Sequence, residues 1–427
     1  MSKQTQPPQS LNILMLAPTM FFADYGAHVR ILEETRALQK LGHRVTILAY
    51  PNGRDIKGIT VRRCWGVPFN YRVIVGSSRH KIYLDLLLAG MSLLHVISDK
   101  PDIIHAHLHE GALIGWVLSK LTRAPLVFDF QGSLTSEMID HNFLTPNSPF
   151  CKFLRWLETQ ADHAADAILT SSVHAAKLLI DEYEVSDEWV NPTPDCVNAD
   201  TFCADNFSSN EIQALKKDLQ LPPDKRVIVY LGVLTPYQGI DILLEAVARL
   251  SKMRDDFHLL LMGYPGEARY KALSAALGVT DHVTFTGKIP YDQAPRYLAL
   301  GDIATAPKVS ATEGSGKILN YMAMGLPTVA FEKPVSREFL GDDGIFATDV
   351  NSEALAAALN RALDLSPKKR TDIVDYLRRR VIHHYSWDRA AERIEAIYRA
   401  LLAGAPLPTA TFKTKIKSTS RGLTEHP

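Results

Sequence analysis

Residues Glu313-Gly314-Ser315-Gly316 set a carboxylate at the mouth of a glycine loop, immediately ahead of a run of helix formers from Lys317 to Met324. Two glycines before a helix let the backbone approach a ligand closely, and the free N–H groups of a first helical turn attract anions. Glu313 would repel a phosphate, so its carboxylate is expected to accept hydrogen bonds from hydroxyls. Phosphate on Gly314, Ser315, Gly316 and the first turn, with hydroxyls on Glu313, fits a sugar phosphate. Lys317 would either add a cation to that site or face solvent. Gly325 closes the helix and Pro327 prevents its continuation. The whole stretch from Pro307 to Phe331 thus reads as strand end, loop, short helix and second strand.

A second concentration of reactive side chains is Pro101-Asp-Ile-Ile-His-Ala-His-Leu-His-Glu-Gly111. It reads as a short strand ending at the histidines, followed by a helix from Ala112 to Leu121. In doubly wound sheets the carboxyl ends of strands line the ligand crevice, so His105, His107, His109 and Glu110 are expected at or near it. Histidine with glutamate also permits a metal, but no other segment offers partners, and no metal is expected. His105 suits a structural role, whereas His109 and Glu110 could shape an acceptor pocket. After the strand Pro125–Phe130, the polar residues Gln131, Ser133 and Thr135 could bind hydroxyls or form a plain loop.

The elements that must carry these residues are legible in both halves. Leu11–Pro18 is apolar throughout, as a buried parallel strand is. A loop with Asp24, Gly26 and Ala27 follows, then a helix over His28–Lys40 stopped by Gly42, then the strand Arg44–Tyr50: a βαβ unit. Gly26 would let that loop lie against phosphates or an acceptor, or simply make a tight turn. The second half repeats the alternation, with strands from Arg226, His258, Val283 and Asp302 and a helix over Ile240–Leu250. Such alternation gives an α/β protein with a parallel sheet in each half. The stretch from Val185 to Asn210, with Pro192 and Pro194, reads as the connection between them. The expected domains are 1–190, 191–385, a last helix within 386–404 anchored by Trp387, and a basic, disordered tail 405–427.

These motifs resemble glycosyltransferase family 4, retaining nucleotide-sugar transferases with the two-domain GT-B fold. Glu313-Gly314-x-Gly316 and Tyr321-Met322-Ala323-Met324-Gly325-Leu326-Pro327 match the family's loop, helix and Gly-x-Pro. Gly42-His43 and the His-x-His of His105 and His107 match as well, and Pro194–Asp200 is similar to its Pro-Asn-Gly-Val-Asp segment. The resemblance implies two Rossmann-like domains facing a central cleft, with the last helix crossing back to the first domain. It implies that His107 lies beside the donor sugar, Glu313 holds donor hydroxyls, and Gly26, Gly314, Ser315, Gly316 and Lys317 serve the phosphates. Three positions depart from it. Asn320 replaces a second glutamate that normally holds the ribose. Val233 and Gln238 replace an arginine and a lysine that grip the diphosphate, and charge-assisted bonds are the strong ones.

Composition narrows the classes. The 427 residues exceed one ordinary domain, and 46% hydrophobic content is ample for two cores. Lysine plus arginine (47) equals aspartate plus glutamate (47), so no global field draws nucleic acid, and none is expected as partner. Cys64, Cys151, Cys196 and Cys203 form no CxxC pair or zinc spacing, which fits reduced thiols in a cytoplasmic protein. No signal peptide is visible. The apolar run Ile82–Ile97 reads as a core helix rather than an interfacial one, although Arg79, His80 and Lys81 precede it.

The resulting expectation is a hexosyl transfer from a nucleoside-diphosphate sugar to a hydroxyl acceptor, a glycan or lipid-linked glycan. No cofactor is expected beyond that donor. His109, Glu110, Gln131 and Ser133 are the candidate acceptor contacts, and Asn320 could bond the ribose or face the core. The enzyme is expected in the cytoplasm, with peripheral contact to the inner membrane face through the basic tail. Two alternatives stay open: a nucleotide-sugar epimerase, and a non-catalytic sugar-nucleotide binder that lost turnover with Val233, Gln238 and Asn320.

Overall fold

A computed structural model describes residues 9–66, 81–140, 144–145, 147–310 and 314–408. Glu313 and residues 409–427, which hold most of the expected basic tail, lie outside the described residues. The described chain divides into two compact units. One takes the chain up to Ala23, Arg30–Thr193 and the chain from Asp388; the other takes Asp24–Val29 and Pro194–Trp387.

The first unit is built on seven parallel strands: β1 (Asn12–Ala17), β2 (Arg44–Ala49), β3 (Thr60–Arg63), β4 (Ile103–His107), β5 (Leu126–Phe130), β6 (Ala167–Thr170) and β7 (Val190–Pro192). Their order across the sheet is β3-β2-β1-β4-β5-β6-β7. β4 and β5 are buried at every position, as expected of strands covered on both faces. β3 and β7 were not expected. β3 is a four-residue edge strand with alternating exposure, and β7 spans three residues inside the stretch read as a connection. Pro192 is tolerated there because β7 is the other edge.

Helix Lys81–Ser98 corrects the core-helix reading. Leu84, Leu88, Ser92, His95 and Val96 face inward, while the apolar remainder, with Ile97 82% exposed, faces out. One helical stripe suffices to cover the sheet, and this sequence is apolar on the other stripe too.

The second unit carries six parallel strands: β8 (Arg226–Leu231), β9 (Phe257–Met262), β10 (Val283–Gly287), β11 (Ile303–Ala306), β12 (Thr328–Phe331) and β13 (Ile345–Ala347). Their order is β10-β9-β8-β11-β12-β13. Strand alternation sends Val227 and Val229 into one core and Ile228 and Tyr230 into another, so helices cover both faces. In each sheet the strand order reverses at one point, between β1 and β4 and between β8 and β11. Carboxyl ends at such points are where doubly wound sheets hold ligands.

The helix Trp387–Ala403 belongs, from Asp388, to the first unit. Its Tyr398 is fully buried and its Oη lies 2.6 Å from His105 Nδ1.

Candidate functional site

Two side-chain constellations stand at the two reversal points. In the first unit, His105 and His107 are two residues apart on β4 and so share a face; their rings stack with centroids 4.5 Å apart. The register sets His107 opposite Asp129 of β5. His107 Nδ1 lies 2.9 Å from Asp129 Oδ2, so its N–H donates to that carboxylate. Arg30, in the helix Gly26–Lys40, grips the same carboxylate with both arms: Nε to Oδ2 at 2.8 Å and Nη2 to Oδ1 at 2.8 Å. Gln131 Nε2 donates to Asp129 Oδ2 at 3.0 Å. Glu34, one turn beyond Arg30, has its Oε1 3.1 Å from Arg30 Nε.

Arg30, Glu34, His105, His107 and Asp129 are buried, and the electrostatics follow. Burial alone would push the Asp129 carboxyl up; the Arg30 charge and the His107 hydrogen bond outweigh it and hold the group well below the usual carboxylate range. Burial, then the neighbouring His107, pushes His105 well below its ordinary value and keeps it neutral.

Donor atoms from Glu34, His105, His107 and Asp129 lie within 4.8 Å of one another, close enough to hold an ion. The Arg30 guanidinium already lies against both carboxylates, a fixed cation where a metal would otherwise be attracted. The His107 side chain is 0% exposed. Leu108, which follows it, takes a left-handed φ of 62° as the strand turns into the next helix. Non-glycine residues held this way cost roughly 1–3 kcal/mol and persist where surrounding structure fixes them.

The other acceptor-side candidates separate. The helix after β4 begins at Leu108, not Ala112, so His109 and Glu110 are helical. His109 points into the core, its Nε2 3.4 Å from Asp162 Oδ1 and 3.6 Å from Glu158 Oε1. Burial pushes its pKa down, but those carboxylates reverse the effect and raise it. Ser133 Oγ pairs with Tyr183 Oη at 2.8 Å, and Glu110 accepts from Lys81 Nζ at 2.6 Å. His109, Ser133 and Thr135 are all buried, and only Gln131 joins the His107 group.

In the second unit the helix forms as expected, over Lys317–Ala323, with Gly325 at φ +69°. Lys317 does not face solvent. Its ammonium donates to Gln238 Oε1 at 2.7 Å and Tyr230 Oη at 3.0 Å, and sits 4.3 Å from the centre of the Tyr230 ring. Tyr230 in turn donates to the Val233 carbonyl at 2.8 Å. A Cβ on Gly232 would lie 2.5 Å from Lys317 Nζ, so glycine leaves room for the ammonium at the end of β8. Gly239 has φ +77°, and a Cβ there would come within 1.9 Å of the Pro307 carbonyl oxygen; only glycine lets the loops after β8 and β11 touch.

Lys308 Nζ donates to the Gly314 carbonyl at 2.7 Å. Ser315 is buried and Asn320 half-buried. Asp195 Oδ2 stands 3.4 Å from where a Gly316 Cβ would be, so a carboxylate occupies the helix start expected to attract phosphate. Gly26 opens its helix with no protein atom within 4 Å of a Cβ position, so packing does not require glycine there.

Two family models cover these units. Residues 25–192 match the glycosyl transferase 4-like domain, and residues 211–380 match the glycosyl transferases group 1. The chain belongs to the family-4-like glycosyltransferases of the GT-B fold. A D-inositol 3-phosphate glycosyltransferase of Acidothermus cellulolyticus is 25% identical over 88% of this chain and 86% of its own. Sucrose-phosphate synthase of Thermosynechococcus elongatus superposes with a TM-score of 0.77 at 19% identity, covering 92% of this chain and 99% of that one. Anabaena HepE, solved with UDP-glucose, superposes at 0.72 and 16% identity, over 90% and 98% of the two chains. At those identities the two structures show the shared fold.

This protein is a glycosyltransferase. Arg30, Glu34, Asp129 and Tyr398 were not singled out from the sequence. Asp129 carries a signal: a carboxylate inside the apolar run Leu126–Phe130 must find a buried partner. Arg30 and Glu34 share a helix face four residues apart. Tyr398 carries no sequence signal.

Proposed function

We propose that the enzyme transfers a hexosyl group, with retention, from a nucleoside-diphosphate sugar to a hydroxyl of a glycan or lipid-linked glycan, working peripherally at a membrane. The observation that carries the donor assignment is the Lys317 ammonium at Gln238, beside Gly232 and at the carboxyl end of β8. Val233 and Gln238 are uncharged where the family resemblance implies an arginine and a lysine, and Lys317, at the start of its helix, brings a cation to Gln238. HepE, on the same fold, is solved with UDP-glucose, which favours a donor of this class.

The step needs no protein nucleophile. The bond from the anomeric carbon to the diphosphate oxygen breaks, and the acceptor oxygen bonds to that carbon on the same face. The acceptor's proton passes to the departing phosphate. Lys317 stabilises the charge that develops on the diphosphate, an interaction stronger in the transition state than before it. Glu313 accepts hydrogen bonds from donor-sugar hydroxyls. His107 is a positioning residue: with Asp129 and Arg30 it fixes the carboxyl ends of β4 and β5. The free thiols of Cys64, Cys151, Cys196 and Cys203 suit a reducing compartment.

Isothermal titration with UDP, GDP and ADP tests the donor assignment. One of them should bind with a stoichiometry of one per chain. Failure of all three would sink it.

A further inference from the structure

We propose that the outer face of three helices in the first unit, Lys81–Ser98, Leu108–Thr122 and Pro149–Asp162, rests on the surface of an anionic lipid bilayer. The proposal builds on the membrane reading above and names the face that makes the contact.

The three helices form one layer, the middle one packing against both others. Their outward side chains are apolar to a degree that water-facing helices are not. On the first helix Ile82, Leu86, Leu93 and Ile97 fall within about 60° of one another around the axis at 3.6 residues per turn. Leu86 is 68% exposed and Ile82 65%. On the middle helix Trp116, Val117 and Leu121 are exposed. On the third, Phe150, Phe153 and Trp156 stand one turn apart and line up as a ladder, with ring centroids 6.2 and 6.0 Å apart. A continuous exposed patch of this kind marks a partner or a membrane.

The charges on these helices favour the membrane. The exposed ones are Lys120, Arg123, Lys152 and Arg155, all cations. The carboxylates of the same segments are turned inward: Asp85 bonds Tyr50, Glu110 accepts from Lys81, and Glu158 and Asp162 are buried. The chain as a whole is neutral, so this one-signed face is a local arrangement. Cations beside exposed tryptophan and aliphatic side chains match anionic headgroups over acyl chains.

Helix Lys81–Ser98 is long and apolar enough by composition to cross a bilayer. Its inner stripe, including Leu84, Leu88 and Val96, is packed into the core, so it lies along the surface instead.

Sedimentation of the full chain with phosphatidylcholine vesicles, with and without phosphatidylglycerol, tests the proposal. Binding should require phosphatidylglycerol and weaken with added salt. A Leu86→Ser/Ile97→Ser variant and a Lys152→Glu/Arg155→Glu variant should each lose roughly ten-fold or more of that binding. Both should keep wild-type nucleoside-diphosphate affinity, since neither pair belongs to the donor site. Vesicle binding without nucleotide binding would leave this surface standing while removing the donor assignment. No vesicle binding by the unmodified chain, or undiminished binding by both variants, overturns the proposal. So does a concentration-dependent dimer that the same substitutions abolish, because the face would then belong to a second copy.

Discussion

Replacing Lys317 by alanine removes the ammonium that bonds Gln238 at the end of β8. Its ammonium lies 2.7 Å from Gln238 Oε1 and 3.0 Å from Tyr230 Oη, so a diphosphate at this point would exchange those neutral acceptors for charged ones. A hydrogen bond to a charged group contributes roughly 1.5–3 kcal/mol. Losing it should therefore weaken nucleoside-diphosphate binding by about one to two decades. The helix start offers little compensation, because Asp195 stands beside Gly316. Truncation also leaves Gln238 and Tyr230 without their donor, which would loosen the loop for any ligand. A titration pair separates the effects: the nucleoside diphosphate and the corresponding nucleoside, each against wild type and variant. Phosphate contact predicts a larger loss for the diphosphate than for the nucleoside, with Lys317→Arg recovering part of the difference. Equal losses for both ligands would refute the reasoning and leave Lys317 as packing.

His107→Ala should lower transfer and also destabilise the fold, by about 1–3 kcal/mol, because it leaves the buried Asp129 carboxylate short of a donor; a melting curve and a transfer assay read the two effects. Asp129→Asn should cost more, roughly 3–5 kcal/mol in urea unfolding, since it breaks the two-armed buried ion pair with Arg30, to which Glu34 alone then offers a nearby carboxylate among the described residues. Glu313→Gln should impair sugar transfer while nucleotide affinity, measured by titration, stays near wild type. Burial, with Lys225 and His282 nearby, pushes the His258 imidazole down to about 4 from an unfolded value near 6.5. The folded state therefore binds fewer protons across that window, and stability should fall as pH drops from about 6.5 towards 4; in His258→Asn the slope should be shallower.

The strands that hold the site were legible because most of their residues are apolar, as in strands buried on both faces, with His105, His107 and Asp129 as the polar exceptions. The helix Ile240–Leu250 and the strand Val283–Gly287 fall where the sequence predicts them. β3 and β7 escaped because four- and three-residue edge strands give too few residues to show a period. The helix Lys81–Ser98 was legible as a helix, but hydropathy does not say which apolar stripe gets covered. His105 and His107 were legible as a same-face pair from their spacing. Their burial was not, because it depends on Arg30 and Asp129 meeting across 99 residues of chain. Lys317 could be read as a cation near a loop, whereas its contact with Gln238, 79 residues away, required the fold.

The proposed reaction is a retaining transfer from a nucleoside-diphosphate sugar. The most direct measurement follows UDP-, GDP- and ADP-sugars with the unmodified chain by NMR, reading the anomeric configuration of the sugar first released to water or acceptor. One donor should be consumed, and the first product should keep the donor's configuration. A product of inverted configuration, or no consumption of any donor by a folded chain, would contradict it.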